Sequence, residues 1–236
     1  MLLVLEGHSS QRDVIAGARD ALPPSVQIFA SHREQRPEIT GLADVAWTEP
    51  SDNTVRVDWV IDKALSNSIE VVLAGKFGQL YEAHRGRFEA NGIRLVTGCI
   101  SLEGLQIVED KGRFTAAALA GGLNCIPGVP VTSSEQLVAV YHDLVLQGPV
   151  CVKPVAGVYG QGFWRLSENT DPFRCFANAS ACEANLRVFA DTYAQAKTPT
   201  PLLLMPYLSG SECSIDMVCE AGDVIAYVGR RKQGYY

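Results

Sequence analysis

A chain of 236 residues is long enough for one large domain or two small ones, at roughly 100–200 residues per domain. Its residues are 47% apolar and 19% charged, with a mean hydropathy of +0.06. This composition excludes wholesale disorder and makes a disulfide or metal staple unnecessary. Twenty Lys and Arg against 26 Asp and Glu give a net charge of −6, which argues against a basic nucleic-acid stripe but leaves room for a local phosphate site.

No window approaches the roughly 18 uncharged apolar residues of a membrane span. The opening Met1-Leu2-Leu3-Val4-Leu5 runs into Glu6 without the basic start or apolar length of a signal peptide. The chain therefore reads as cytoplasmic, with no membrane and no nucleic-acid partner expected. Seven cysteines (99, 125, 151, 175, 182, 213 and 219) are odd in number and lack CxxC spacing. Several sit in apolar runs, so reduced and mostly buried thiols are expected.

In the first hundred residues short apolar runs alternate with amphipathic stretches. Residues 2–5 read as a strand, and 12–22 as a helix stopped by Pro23-Pro24. A second strand is expected at 26–30, and an amphipathic helix at 57–65 from the spacing of Val57, Val60, Ile61, Ala64 and Leu65. A buried strand at 70–74 ends in Gly75, a helix at 79–91 stops at Gly92, and a strand follows at 93–96. Such alternation implies right-handed βαβ units and a parallel sheet, hence a small Rossmann-like domain over residues 1–100. The segment Glu6-Gly7-His8-Ser9-Ser10 follows the first strand, where open α/β sheets often bind ligands; a plain turn serves equally well.

Residues 101–236 change character. Helices are expected at 102–108 and 111–120, the second ended by Gly121-Gly122. Pro127-Gly128-Val129-Pro130 is extended. Ser133, with Gln136 three residues on, opens a helix running to 145. Strands are expected at 149–153 and 163–166, a helix at 183–196, and strands at 202–208, 212–219 and 224–231. Glu220-Ala221-Gly222-Asp223 supplies a hairpin turn between the last two.

Chemistry concentrates in Val150-Cys151-Val152-Lys153-Pro154-Val155-Ala156-Gly157-Val158-Tyr159-Gly160-Gln161-Gly162. A lysine closes a buried strand and a glycine-rich loop follows at once. Glycine lets the backbone turn its N–H groups toward an anion, and the lysine adds a point charge for phosphate. The order differs from a Walker A loop, where lysine follows the glycines, and from G-x-G-x-x-G. A hairpin with an ordinary turn and a surface lysine is the plain alternative. The four histidines are scattered without metal spacing. On the strand from Glu212, alternation places Glu212, Ser214 and Asp216 on one face and Cys213, Ile215, Met217 and Cys219 on the other. It also points Arg230 and Arg231 to opposite faces. One of these arginines could serve phosphates or an acidic substrate, or both could simply end a basic strand.

Three pieces in order resemble the ATP-grasp superfamily: Asp110-Lys111 opening a helix ahead of Gly128-Val129-Pro130-Val131; the Val-Lys-Pro strand with its glycine loop; and Leu202–Asp216, similar to the family's adenine hinge and G-x-E strand. Within the superfamily the resemblance is to carbamoyl-phosphate-synthase-like carboxylate ligases, with a distant similarity to ATP-grasp proteins encoded near tellurite-resistance (Ter) operons. The fold implied is a Rossmann-like pre-ATP-grasp domain followed by an incomplete α+β ATP-grasp domain. The activity implied is an ATP-dependent carboxylate–amine ligation through an acylphosphate, on small-molecule carboxylate and amine substrates.

By the same resemblance Lys111 and Lys153 face the phosphates, and Gly157, Gly160 and Gly162 form a lid. The Pro206 carbonyl and the Leu208 N–H recognise adenine around Tyr207, and Glu212 binds the ribose. Met205 stands where many members have an acid; its thioether can pack on the base. Magnesium is implied as well, but the family's ligands, two carboxylates and often an Asn, come after the hinge half. No Asp/Glu–x–Asn follows Glu212 before Tyr235-Tyr236, so the chain is expected to be part of a longer ligase, inactive alone. Its alternatives are a non-catalytic nucleotide-binding module completed by a partner chain, and a Rossmann-like small-molecule binder that uses no ATP. The apolar run Val224-Ile225-Ala226-Tyr227-Val228 on an edge strand points to a tendency to homo-oligomerise.

Overall fold

The computed structural model describes residues 1–7, 10–158 and 160–232, and Ser180 by its backbone alone. His8, Ser9, Tyr159, Tyr235 and Tyr236, named above, lie outside the described residues. The chain divides into two compact units, Met1–Val108 and Glu109–Tyr236.

The first unit is a parallel sheet with helices. Its strands are β1 (Leu2–Val4), β2 (Ile28–His32), β3 (Val45–Thr48), β4 (Val71–Leu73) and β5 (Arg94–Val96), in spatial order β3-β2-β1-β4-β5. Every pairing is parallel, as the strand–helix alternation implies. Helices α1 (Gln11–Ala21), α2 (Pro37–Thr40), α3 (Asn53–Ser66), α4 (Gly78–Glu82), α5 (Arg85–Ala90) and α6 (Leu102–Glu109) complete it. Asp52 caps α3 by accepting the Thr54 N–H at 2.8 Å. Val57, Val60, Ile61 and Ala64 then share one buried stripe that packs with Leu3, Leu5, Val72, Phe88 and Leu95. Each of the Val, Leu, Ile and Phe side chains contributes about 1.5–3 kcal/mol by leaving water.

Two expectations fail here. The helix expected at 79–91 is two helices, broken at Ala83-His84. Arg85 donates to the Glu82 carboxylate and to the carbonyls of Leu95 and Cys99, and these tertiary bonds outweigh one more residue of regular helix. Strand β3 was not expected, although Val45 and Trp47 alternate inward against Ala46 and Thr48.

The second unit begins with α7 (Lys111–Ala120), capped by Asp110, whose carboxylate accepts the Arg113 N–H at 2.8 Å. A mixed sheet follows, in the order β6 (Val129–Val131), β10 (Leu202–Pro206), β7 (Val150–Pro154), β8 (Trp164–Ser167), β9 (Glu183–Asn185). Between these strands come α8 (Ser134–Val145), α9 (Arg174–Ala177) and α10 (Leu186–Ala194). Ser133 caps α8 as expected, accepting the Gln136 N–H at 3.2 Å. One sheet face, carrying Val150, Val152, Leu166, Leu202 and Leu204, packs against Leu137 and Tyr141 of α8 and Leu186 and Ala190 of α10.

The helix expected at 183–196 starts only at Leu186. Residues 183–185 pair in parallel with β8 instead, and Asn185 becomes the cap, its side chain accepting the N–H groups of Arg187 (3.0 Å) and Val188 (3.3 Å). A two-stranded antiparallel ribbon, β11 (Cys213–Glu220) and β12 (Asp223–Arg231), turns at Ala221-Gly222, both at positive φ. Every residue of the ribbon is exposed.

The thiols depart from expectation too: all seven are free, but only Cys151 is buried, and Cys213 and Cys219 are exposed. The last two sit on the ribbon, where no core covers either face. No described helix is long and apolar enough to cross a membrane.

Candidate functional site

The second face of the mixed sheet carries the chemistry. Strand register sets Lys153 opposite Leu203, and Cys151 between Met205 and Arg165. Alternation turns Cys151, Lys153, Leu203 and Met205 away from the helix-covered core. The start of α7 runs over this face: a Cβ on Gly112 would meet Pro130 and Leu203 at contact distance. A Cβ on Gly128 would lie 2.7 Å from Leu203, so only glycine allows the extended segment to pass there. This is the physical content of the Gly-Val-Pro-Val motif. Pro130 takes an edge strand, where its missing N–H is tolerated.

Lys111 is thereby brought to the glycine loop. Its backbone N–H donates to the Val155 carbonyl at 3.1 Å, and its Nζ donates to the carbonyls of Gly157 (2.8 Å) and Val155 (3.3 Å). Burial holds the Lys111 pKa below the ordinary lysine value of 10.5, the positive charge of Lys153 lowers it further, and Asp110 only partly opposes them. Among the described residues neither lysine makes an ion pair. A second cation close enough to disfavour the Lys111 charge, beside a loop rich in glycine, makes a site suited to a polyanion.

Gly157, Gly160 and Gly162 all adopt positive φ, at 140°, 69° and 72°. Gly162 is required for packing as well, since a Cβ there would lie 2.7 Å from Pro154. Gly157 and Gly160 face open space, so theirs is a purely conformational need.

At the end of β10, Met205 and Pro206 are half-buried, Tyr207 donates its N–H to the Pro149 carbonyl at 2.7 Å, and Leu208 is exposed. Glu212 pairs with Lys232 at 3.1 Å. Ribbon register confirms that Arg230 and Arg231 lie on opposite faces: Arg230 pairs across from Ser214 and makes an ion pair with Asp216, while Arg231 lies across from Cys213.

Two features were not read from sequence. Arg165 shares the Lys153 face, a position that alternation from buried Leu166 could have given. In the first unit Glu6, in the loop singled out after β1, is 3% exposed and gripped by Arg33 (2.6 Å) and Lys76 (3.6 Å). Burial raises the Glu6 pKa, but Arg33, through its hydrogen bond and charge, wins and holds it below the ordinary carboxylate value. Gly75 must approach this loop closely, since a Cβ would lie 2.3 Å from the Glu6 carbonyl oxygen. Glu6 is thus tied down by its own ion pairs. Among the described residues no group of three His, Cys, Asp or Glu side chains could hold a metal ion.

Residues 198–236, a stretch that includes β10, β11 and β12, match a family described as ATP-grasp in the biosynthetic pathway with Ter operon. Many solved structures resemble the chain. An N5-carboxyaminoimidazole ribonucleotide synthetase in complex with ADP superposes with a TM-score of 0.67 at 15% identity, over 98% of this chain and 53% of that one. An L-amino acid ligase from Bacillus licheniformis gives 0.58 at 16%, over 99% and 51%. The biotin carboxylase domain of the Hydrogenobacter thermophilus 2-oxoglutarate carboxylase, a dimer in complex with MgADP, ADP and bicarbonate, gives 0.58 at 18%, over 91% and 45%. The chain spans about half the length of these structures. The chain thus shares the fold of these solved structures, and its residues 198–236 match the ATP-grasp family model.

Proposed function

We propose that the second unit binds ATP and forms part of an ATP-dependent ligase. That ligase transfers the γ-phosphoryl group to a small-molecule carboxylate, releasing ADP, and an amine then attacks the acylphosphate carbonyl carbon and displaces phosphate. The observation that carries this reading is the pairing of Lys111 and Lys153, two neighbouring cations without an ion-pair partner among the described residues, beside the glycine loop.

In this reading Lys111 and Lys153 hold the phosphates as point charges, and Gly157, Gly160 and Gly162 close the loop over them to exclude water. The Pro206 carbonyl accepts from the base and the Leu208 N–H donates to it. Met205 packs on its ring, Tyr207 flanks it, and Glu212 accepts from the ribose hydroxyls. A second reading, a nucleotide-binding module without chemistry of its own, draws on the ribbon, where Ile225 and Tyr227 are 61% and 76% exposed; a partner chain would cover them.

Calorimetric titration of Lys153→Ala with ATP and with adenosine tests the phosphate role. The variant should lose about 1.5–3 kcal/mol toward ATP, as one charge-assisted contact would supply, and little toward adenosine. Equal loss for both ligands would place Lys153 away from the phosphates.

A further inference from the structure

On the nucleotide reading just given, we infer that Arg165 is a positioning residue for the base, acting through Tyr207. Three contacts point to it. First, Arg165 stands on the face that carries Lys153 and Met205, and register sets Arg165, Cys151 and Met205 in one row across β8, β7 and β10. Second, its guanidinium is braced from the far side by an ion pair with Glu183 of β9, and Glu183 also pairs with Arg174 at 3.4 Å; separately, the Arg165 backbone N–H donates to the Cys182 carbonyl at 2.7 Å and anchors the strand. Third, the guanidinium lies over the Tyr207 ring, 5.3 Å from its centroid, reaching past the intervening strand β7. Phe163 is a tilted aromatic neighbour of that ring, 6.3 Å between centroids.

Tyr207 is thus held by a planar cation, by an aromatic neighbour and by its own N–H bond to Pro149. It lies between Pro206 and Leu208, whose backbone groups are the ones assigned to the base. Fixing the ring fixes the direction of that carbonyl and that N–H. The brace on Glu183 keeps the guanidinium stacked instead of free to reach a phosphate. A guanidinium suits this task better than an ammonium because it is flat, lies on an aromatic face and still spends its edge on a carboxylate. Arg165 therefore sets affinity for the base, while Lys111 and Lys153 set affinity for the phosphates.

The test is calorimetric binding of ATP, adenosine and inorganic tripolyphosphate to the parent chain and to Arg165→Met, Arg165→Lys and Glu183→Gln, with near-ultraviolet circular dichroism to report the Tyr207 environment. Arg165→Met should weaken ATP and adenosine alike by roughly fivefold to tenfold, the scale of one lost cation–π contact, and leave tripolyphosphate unchanged. Arg165→Lys should recover part of the loss, and Glu183→Gln should weaken adenosine in the same direction by less. Tripolyphosphate weakened as much as ATP would overturn the inference by making Arg165 a phosphate ligand. Unchanged adenosine binding in any folded Arg165 variant would overturn it as well. Should Arg165→Met fail to fold, Arg165→Lys and Glu183→Gln carry the same comparison. A parent chain that binds tripolyphosphate but neither ATP nor adenosine would defeat the nucleotide reading itself, a result distinct from a variant that matches a binding-competent parent.

Discussion

In the first unit buried charge is matched within the unit, whereas the second leaves Lys111 and Lys153 beside each other with no ion pair among the described residues. Glu6 is gripped by Arg33 and Lys76, Glu82 by Arg85, and Glu49 by Arg56, the last pair with both side chains wholly buried and 3.8 Å apart. Arg56 also donates to the Pro50 carbonyl at 2.7 Å and stacks 4.1 Å above the Phe77 ring centroid. Both units place charge at the ends of sheet strands, with opposite consequences. A charge satisfied by its own neighbours ties loops together and is structural. A charge that its neighbours repel is stable only because it retains some solvent, and it gains most from an anionic ligand.

The sharpest way to break this contrast is to remove Arg56. Arg56→Met leaves the buried Glu49 carboxylate with the Glu6 N–H and the Ser31 hydroxyl as donors but without its countercharge, and the expected loss is about 3–5 kcal/mol in urea denaturation of the first unit. ATP binding by the second unit should be untouched wherever the protein is folded. A loss under about 1 kcal/mol would mean that the pair is not the structural element described here.

A smaller effect is expected at Glu82, 2% exposed along its side chain. The hydrogen bond from Arg85 lowers its pKa below the ordinary 4.5, burial works the other way, and Thr97 adds to the lowering. A depressed carboxylate contributes stability that is present above its unfolded value and is lost as pH falls through the folded value. The parent should therefore lose stability below about pH 4.5. Arg85→Met should cost about 1–3 kcal/mol at neutral pH and show a weaker acid loss, since the Thr97 hydroxyl is then left to oppose burial at Glu82. Parallel pH profiles for parent and variant would count against the pairing.

Smallest of all is the change expected on removing the repulsion in the second unit. The folded Lys111 pKa lies below 10.5, so folding disfavours its charged form, and that penalty fades as pH rises from the folded value toward 10.5. Lys153→Met removes the like charge and leaves burial, so the Lys111 pKa should rise part of the way back. At neutral pH the variant should match or exceed the parent in stability by under about 1 kcal/mol. Titration of the lysine ammonium resonances checks the direction; an unmoved Lys111 would separate the two lysines.

Much of this protein was legible as pattern. The parallel sheet followed from strand–helix alternation, α3 from the spacing of Val57, Val60, Ile61 and Ala64, and α8 from its Ser133 cap, because periodicity and capping are local consequences of backbone geometry. The opposite faces of Arg230 and Arg231 followed from period two alone. Cap chemistry at Asn185 was there to be read, but the apolar stretch after Glu183 drew the helix three residues too early. What only the tertiary structure decided was which residues distant in sequence meet. The break at Ala83-His84 depends on carbonyls of Leu95 and Cys99, and the approach of Lys111 to Gly157 depends on glycine at 128 letting one segment pass over Leu203. The stacking of Arg165 on Tyr207 crosses a strand that neither belongs to. Sequence carries the short-range rules of helix and strand. It does not carry the long-range distances that decide whether a charge is paired, repelled or stacked, because those are set by packing among elements far apart in the chain.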